Sequence, residues 1–224
     1  TGKKLAYYDL ANSLFNLGKY EDSIYYYDKA LEMDSKFIYA IKGKRNALYA
    51  QGNRFCSEGK YEQGFTSYDK ALAIDPSFKE ACDKKIEYLH SMGNTYYNSG
   101  DYSMAISCYD RILAIDRNYS QATINKANAL YCIGNQTAAS GQYAMAIVYY
   151  DQALTINPGS GEIYNAKASA LTNLQNQRKS YYNTSYNYNN SQSYNNTYSG
   201  SSNTYPRYNN TYSGYNNSYS NNNY

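Results

Sequence analysis

Along residues 20–33 the apolar side chains Ile24, Tyr27 and Leu31 fall at three- and four-residue steps, one face of an α-helix. The same spacing returns downstream, each time followed by a second, longer apolar-periodic stretch. The pattern therefore predicts alternating short and long helices. Punctuation marks their ends. Gly18, Gly59, Gly100 and Gly141 each precede a short helix, and Asp34, Asp75-Pro76, Asp116 and Asn157-Pro158 each follow one. Proline disfavours helix in the residue before it, so Asp-Pro reads as a stop. Pro76 and Pro158 are then expected in the first turn of the following long helix.

All these landmarks lie 41 residues apart. Tyr27-Asp28, Tyr68-Asp69, Tyr109-Asp110 and Tyr150-Asp151 share that spacing, as do Leu48, Leu89, Leu130 and Leu171, and Lys44, Lys85, Lys126 and Lys167. A fixed period of this size signals stacked supersecondary units. Each unit would be an antiparallel pair, a long helix A and a short helix B, with Tyr20–Met33 the first helix B. Four pairs fill the chain to about residue 159, and residues 160–179 supply a fifth helix A.

Gly18, Tyr20, Ser23, Tyr27 and Ala30, with their counterparts and the closing Asp75-Pro76, resemble the tetratricopeptide repeat. The resemblance covers residues 4 to about 179. It implies an all-α, right-handed superhelical solenoid. In it the small residues Ser23, Gly64, Ala105 and Ala146 interlock with large helix A residues such as Leu14, Leu48, Leu89 and Leu130. The family period is 34 residues, so seven are extra here. Gly52-Asn53, Gly93-Asn94 and Gly134-Asn135 stand where the family turn is expected, seven residues before Gly59, Gly100 and Gly141. Either helix A runs on through those seven, or it caps at Gly52 and a loop follows. Seven residues are nearly two turns with only about 20° of drift, which keeps the apolar face in phase and favours the longer helix. The first unit reads as lacking the extra segment.

Composition changes at Tyr181. From there to Tyr224 there is no Leu, Ile, Val, Ala, Met or Phe, and Arg207 is the lone charged side chain. Residues 1–180 can bury a core. Residues 181–224, rich in Tyr, Asn, Ser and Thr, are expected to be a prion-like tail, disordered alone. The tail carries Asn-x-Ser/Thr sequons at Asn183, Asn189, Asn195, Asn209 and Asn216, and the repeats add Asn118 and Asn135. In so Asn- and Ser-rich a segment sequons arise by composition, so they permit glycosylation without establishing it. An extracellular or cell-surface location is the first expectation, a cytoplasmic one the alternative. The sequence opens at Thr1 with no methionine and no visible leader, which reads as a processed or trimmed chain.

Net charge is +3, too mild for a phosphate-binding surface. No apolar run is long enough to span a bilayer. Cys56, Cys82, Cys108 and Cys132 sit singly in helical patterns, without metal-ligand spacing. No catalytic constellation, metal or cofactor is expected, covalent glycans apart, and the recurring Asp28, Asp69, Asp110 and Asp151 read as a solvated or locally paired ladder. The resemblance implies a concave groove on the A helices for extended peptides, here carrying Tyr8, Asn12, Lys42, Asn46, Asp83, Glu87, Ile124 and Asn128. Lys42 with Asn46 looks like half of a carboxylate-grasping pair, which Asp83 and Glu87 do not complete. The expected function is a scaffold whose subunits stack head to tail into a filament, the alternative an adaptor binding a partner peptide, and an enzyme is not expected.

Overall fold

A computed structural model describes residues 2–195, with side chains described for 2–185. Within it the helices are α1 (Gly2–Asn16), α2 (Tyr20–Met33), α3 (Ile38–Ser57), α4 (Tyr61–Ile74), α5 (Lys79–Ser99), α6 (Tyr102–Ile115), α7 (Ser120–Ala139), α8 (Tyr143–Ile156) and α9 (Gly161–Asn195). The chain divides into two units, Thr1–Asn176 and Gln177–Tyr224. The first is an all-helical solenoid of antiparallel pairs.

Each of the first four A helices ends on a glycine in the left-handed region, with φ of 72° at Gly18, 77° at Gly59, 84° at Gly100 and 79° at Gly141. That geometry lets the last carbonyls find donors. Gly59 N donates to Cys56 O at 3.0 Å and Lys60 N to Phe55 O at 2.8 Å, the two bonds of a Schellman cap, and the other three junctions repeat them. Each B helix ends at Asp34, Asp75, Asp116 or Asn157. Asp75 is extended at φ −142°, and its carboxylate accepts the Ser77 backbone N–H at 3.1 Å. Pro76 thus lies in a turn. The following helix starts at Lys79 with Phe78 before it, which corrects the expectation that Pro76 and Pro158 open helix A. The carboxylate turn occupies the residues in between.

The long helices run unbroken through Gly52, Gly93 and Gly134, so no cap or loop forms there. These glycines serve packing. A Cβ at Gly52 would stand 2.5 Å from the Tyr68 ring, at Gly93 2.7 Å from Tyr109, and at Gly134 2.5 Å from Tyr150. Their absence lets each buried tyrosine of helix B lie on the helix A backbone. In the first pair Ala11, fully buried, holds that place. Seven residues then separate Ala11 from Gly18 as they separate Gly52 from Gly59. The turns between that position and the capping glycine are thus present in the first pair as in the others. Leu14 lies between Ala11 and Gly18 and is half-buried.

The core runs between the A and B helices. Tyr27, Tyr68, Tyr109 and Tyr150 are buried in it, beside Ala30, Ala71, Ile112 and Ala153. Ser23, Gly64, Ala105 and Ala146 hold the small position, and Leu48, Leu89 and Leu130 are buried. Leu171 at the same register is exposed.

The fifth helix, expected to end near residue 179, continues to Asn195. Propagating an existing helix needs no new nucleus, and Tyr, Ser and Asn cost only about 0.5 kcal/mol each relative to Ala. In the second unit Tyr181 and Tyr182 are exposed on this helix. The sequons Asn209 and Asn216, and the tail beyond Asn195, lie outside the described residues.

Candidate protein-interaction groove

Two side-chain ladders fix how the A and B helices meet. In the first, each buried tyrosine donates its hydroxyl to an asparagine on helix A. Tyr27 reaches Asn12 at 2.6 Å, Tyr68 reaches Asn53 at 2.6 Å, Tyr109 reaches Asn94 at 3.0 Å and Tyr150 reaches Asn135 at 2.8 Å. Against each ring lies a second aromatic of helix A. Tyr8–Tyr27 centroids are 6.1 Å apart, Tyr49–Tyr68 5.9 Å, His90–Tyr109 6.5 Å and Tyr131–Tyr150 6.0 Å. Burial holds the Tyr27, Tyr68, Tyr109 and Tyr150 phenols above their ordinary range.

The second ladder is ionic. Lys44 meets Asp28 at 2.6 Å, Lys85 meets Asp69 at 2.5 Å, Lys126 meets Asp110 at 2.6 Å and Lys167 meets Asp151 at 2.5 Å. The carboxylate ladder is thus locally paired along its length. Both rows show as 41-residue periods in the sequence; that they face each other across successive helices does not.

The expected groove residues separate into two groups. Asn12 is committed to Tyr27, and Tyr8 packs on Phe37 at 5.2 Å between centroids, so these two knit the first pair together. The second group is exposed: Lys42, Asp83 and Ile124 at one register, and Asn46, Glu87 and Asn128 four residues on. Asn46 accepts from the Arg45 guanidinium at 3.0 and 3.2 Å. Asp83 and Glu87 come together on the rim of a pocket of about 340 Å³, with Ile86, His90, Asp116 and Tyr119. The His90 ring nitrogens lie 3.4 Å from the Asn94 amide nitrogen and 3.3 Å from that of Asn125. Sequence reasoning missed Arg45, Asp116, Tyr119 and Asn125. Register was the available signal, since each stands 41 residues from a counterpart in the next or previous unit.

Of the sequons, Asn118 is exposed in the α6–α7 turn and Asn183 is exposed on α9. Asn135 is exposed but accepts the Tyr150 hydroxyl, and Asn189 and Asn195 lie on α9. Cys56 and Cys108 are buried, Cys82 and Cys132 half-buried, and all four are free. Burial pushes the Cys56, Cys82 and Cys108 thiols up, away from the reactive thiolate. Among the described residues no three His, Cys, Asp or Glu side chains gather as a metal site, and no helix is long and apolar enough to cross a membrane.

Paired helices in register, knitted by small-on-large contacts, define an α-helical repeat protein of the interaction-scaffold class. Models of the tetratricopeptide repeat match residues 5–37, 86–119 and 133–160, and those stretches are repeats of that kind. The match beginning at Ile86 relocates the extra residues. The family pattern of a large residue, then Leu-Gly and an aromatic three residues on, followed by Ala and an aromatic four later, falls on Leu89, Met92-Gly93, Tyr96, Ala105 and Tyr109. The extra seven residues therefore precede the family unit, as 79–85, rather than following Gly93. They lengthen helix A at its start by about 10 Å.

No curated protein matches the sequence. Similar solved structures include a TPR repeats protein from Bacteroides fragilis, 15% identical over 75% of this chain and 82% of that chain, TM-score 0.44. The N-terminal domain of stress-induced protein-1 from C. elegans is 17% identical over 58% of this chain and 97% of that one, TM-score 0.28. The pilF protein of Pseudomonas aeruginosa is 20% identical over 78% and 70%, TM-score 0.29.

Proposed function

We propose that this chain is a protein-interaction scaffold whose A helices receive an extended segment of a partner protein. One observation carries the reading. Positions that pack repeat their chemistry every 41 residues, whereas the exposed helix A positions do not: Lys42, Asp83 and Ile124 at one register, Asn46, Glu87 and Asn128 at the other. A fixed scaffold whose exposed side chains change from one unit to the next is suited to reading an extended sequence. The buried polar side chains are spent on packing, which supports a scaffold over an enzyme: Ser23 donates to Ala11 O at 2.9 Å and Ser67 to Gln51 at 3.0 Å. The test is selection of a displayed peptide library on the full chain, followed by calorimetry. Selected peptides should bind, and Lys42→Ala with Asn128→Ala should weaken them several-fold at unchanged melting temperature. No enrichment, or indifference to both substitutions, overturns the reading.

A second reading, head-to-tail self-assembly into a filament, rests on apolar side chains exposed at the first pair. Leu5 is 46% exposed, Leu10 42%, Leu17 71% and Met33 51%. A heterologous contact there would propagate without closing. Light scattering across a concentration series should show growth that Leu10→Lys abolishes; a constant monomer mass sinks it. Extracellular placement and a glycosylated tail belong to this reading, supported by the exposure of Asn118 and Asn183. Mass spectrometry of the natural protein's peptides that carry Asn118 and Asn183 decides that part, since attached sugars add hexose-sized steps to the peptide mass.

A further inference from the structure

Each B helix is followed by a turn that sets a carboxylate or its amide at one register and, in three of four cases, an aromatic ring three residues later. In the first two units a cation from the same unit's helix A sits between them. Lys4 lies 2.7 Å from Asp34 and 4.5 Å from the Phe37 ring centroid. Arg45 lies 2.5 Å from Asp75 and 4.2 Å from the Phe78 centroid. The molecule thus holds two worked examples of a seat for a cation, one face a carboxylate and the other a π-surface.

The third unit keeps the seat and changes the residue that fills it. Asp116 and Tyr119 repeat the carboxylate and the ring, but Ile86 stands at the register of Lys4 and Arg45. Among the described residues no cation pairs with Asp116, whose carboxylate accepts the Asn118 backbone N–H at 2.9 Å. Here a pocket of about 340 Å³ opens, lined by Ile86, His90, Asp116 and Tyr119 with Asp83 and Glu87. Asp83 and Glu87 at its rim reach lysines of their own helix, Lys79 at 2.6 Å and Lys84 at 2.7 Å, so the uncompensated charge is that of Asp116.

We infer that the α6–α7 turn is a binding seat for the guanidinium of an arginine side chain carried by a partner polypeptide. The partner supplies in trans what Arg45 supplies in cis one unit earlier. Arginine fits better than lysine because its planar group can pair with Asp116 and stack on Tyr119 at once. The proposal rests on the groove reading only in taking the arginine to arrive on a polypeptide.

The experiment titrates the full chain with Nα-acetyl-arginine amide, followed by amide and aromatic NMR shifts. Expected is a saturable shift confined to residues around Ile86, His90, Asp116 and Tyr119. It should be about five- to tenfold weaker with the citrulline analogue and with Asp116→Asn. Ile86→Arg installs the internal cation and should abolish it while circular dichroism reports an intact helical fold; Asp116→Asn carries the test should Ile86→Arg not fold. Absence of saturation, equal binding of citrulline, or indifference to Asp116→Asn overturns the seat. Displayed peptides that bind regardless of Asp116→Asn and Ile86→Arg would sink the seat and leave the groove standing. Acetyl-arginine amide binding without any peptide binding would do the reverse.

Discussion

At the residue scale, glycine does two different jobs in this repeat, and substitution separates them. Gly59 occupies the left-handed region with open space around it, so Gly59→Ala carries only the conformational penalty, about 1 kcal/mol. Gly93 sits in ordinary helix, where alanine would gain about 1 kcal/mol of propensity, but its methyl would enter the Tyr109 ring. Overpacking of about 1–3 kcal/mol outweighs that gain. Both variants should melt earlier in thermal denaturation. Only Gly93→Ala should recover when Tyr109 is shortened to leucine; recovery of Gly59→Ala by the same change would refute the distinction. The asparagine ladder allows a parallel test. Asn53→Ala leaves the buried Tyr68 hydroxyl without its acceptor and should cost about 1–2 kcal/mol, more than Tyr68→Phe, because the half-buried Asn53 can turn to water when the phenol is gone. Chemical denaturation of the two variants reads the difference.

At the scale of helices, the short B helices were legible in the sequence almost to the residue, since Tyr20–Met33 is bounded by a glycine that must cap and an aspartate that must turn. The long A helices were legible in phase but not in placement. A seven-residue block leaves the apolar face nearly where it was, so periodicity alone could not say whether the extra turns precede or follow Gly52. Ala11 hid the answer, because it stands at the register of Gly52 and breaks the 41-residue period of that glycine. The pairing of Lys85 with Asp69 was illegible for another reason: both periods are visible, but which face of α5 meets α4 is a tertiary fact. The tyrosine ladder gives the helix pairs a shared pH response. In Tyr27, Tyr68, Tyr109 and Tyr150 burial raises the folded-state pKa above the unfolded value near 10. The protonated phenol favours folding, so this contribution is complete below pH 10 and is lost as pH climbs through the folded values. Four such groups act together. Helical circular dichroism should fall above about pH 10 in step with tyrosinate absorbance of the buried rings. Ionisation of all tyrosines before any helix is lost would contradict it.

At the scale of the repeat-bearing unit, the core is unevenly shared. One cluster runs from Leu48 through Leu89 to Ala129 and binds α3 to α7 together, while Ala11, Tyr27 and Ala47 form a separate group at one end and Leu130, Tyr150 and Ile163 another. In a stack where each unit touches only its neighbours, stability is a sum of unit and interface terms, and a central unit is held on both sides. Leu89 is fully buried in the central cluster, so Leu89→Ala should cost about 2–5 kcal/mol. The loss should not stay local. With α5 weakened, α3–α4 and α6–α7 each lose a neighbour, and native-state hydrogen exchange should accelerate across all of them. The first pair, whose exposed Leu5, Leu10 and Met33 bury little, should already exchange faster than α4 or α6 in the unaltered protein. Leu31→Ala, in the half-buried fringe of α2, should then speed exchange in α1 and α2 and leave α6 unchanged. Equal acceleration everywhere from both substitutions would mean that the unit unfolds as one cooperative block, and that the 41-residue repeat governs its geometry without governing its energetics.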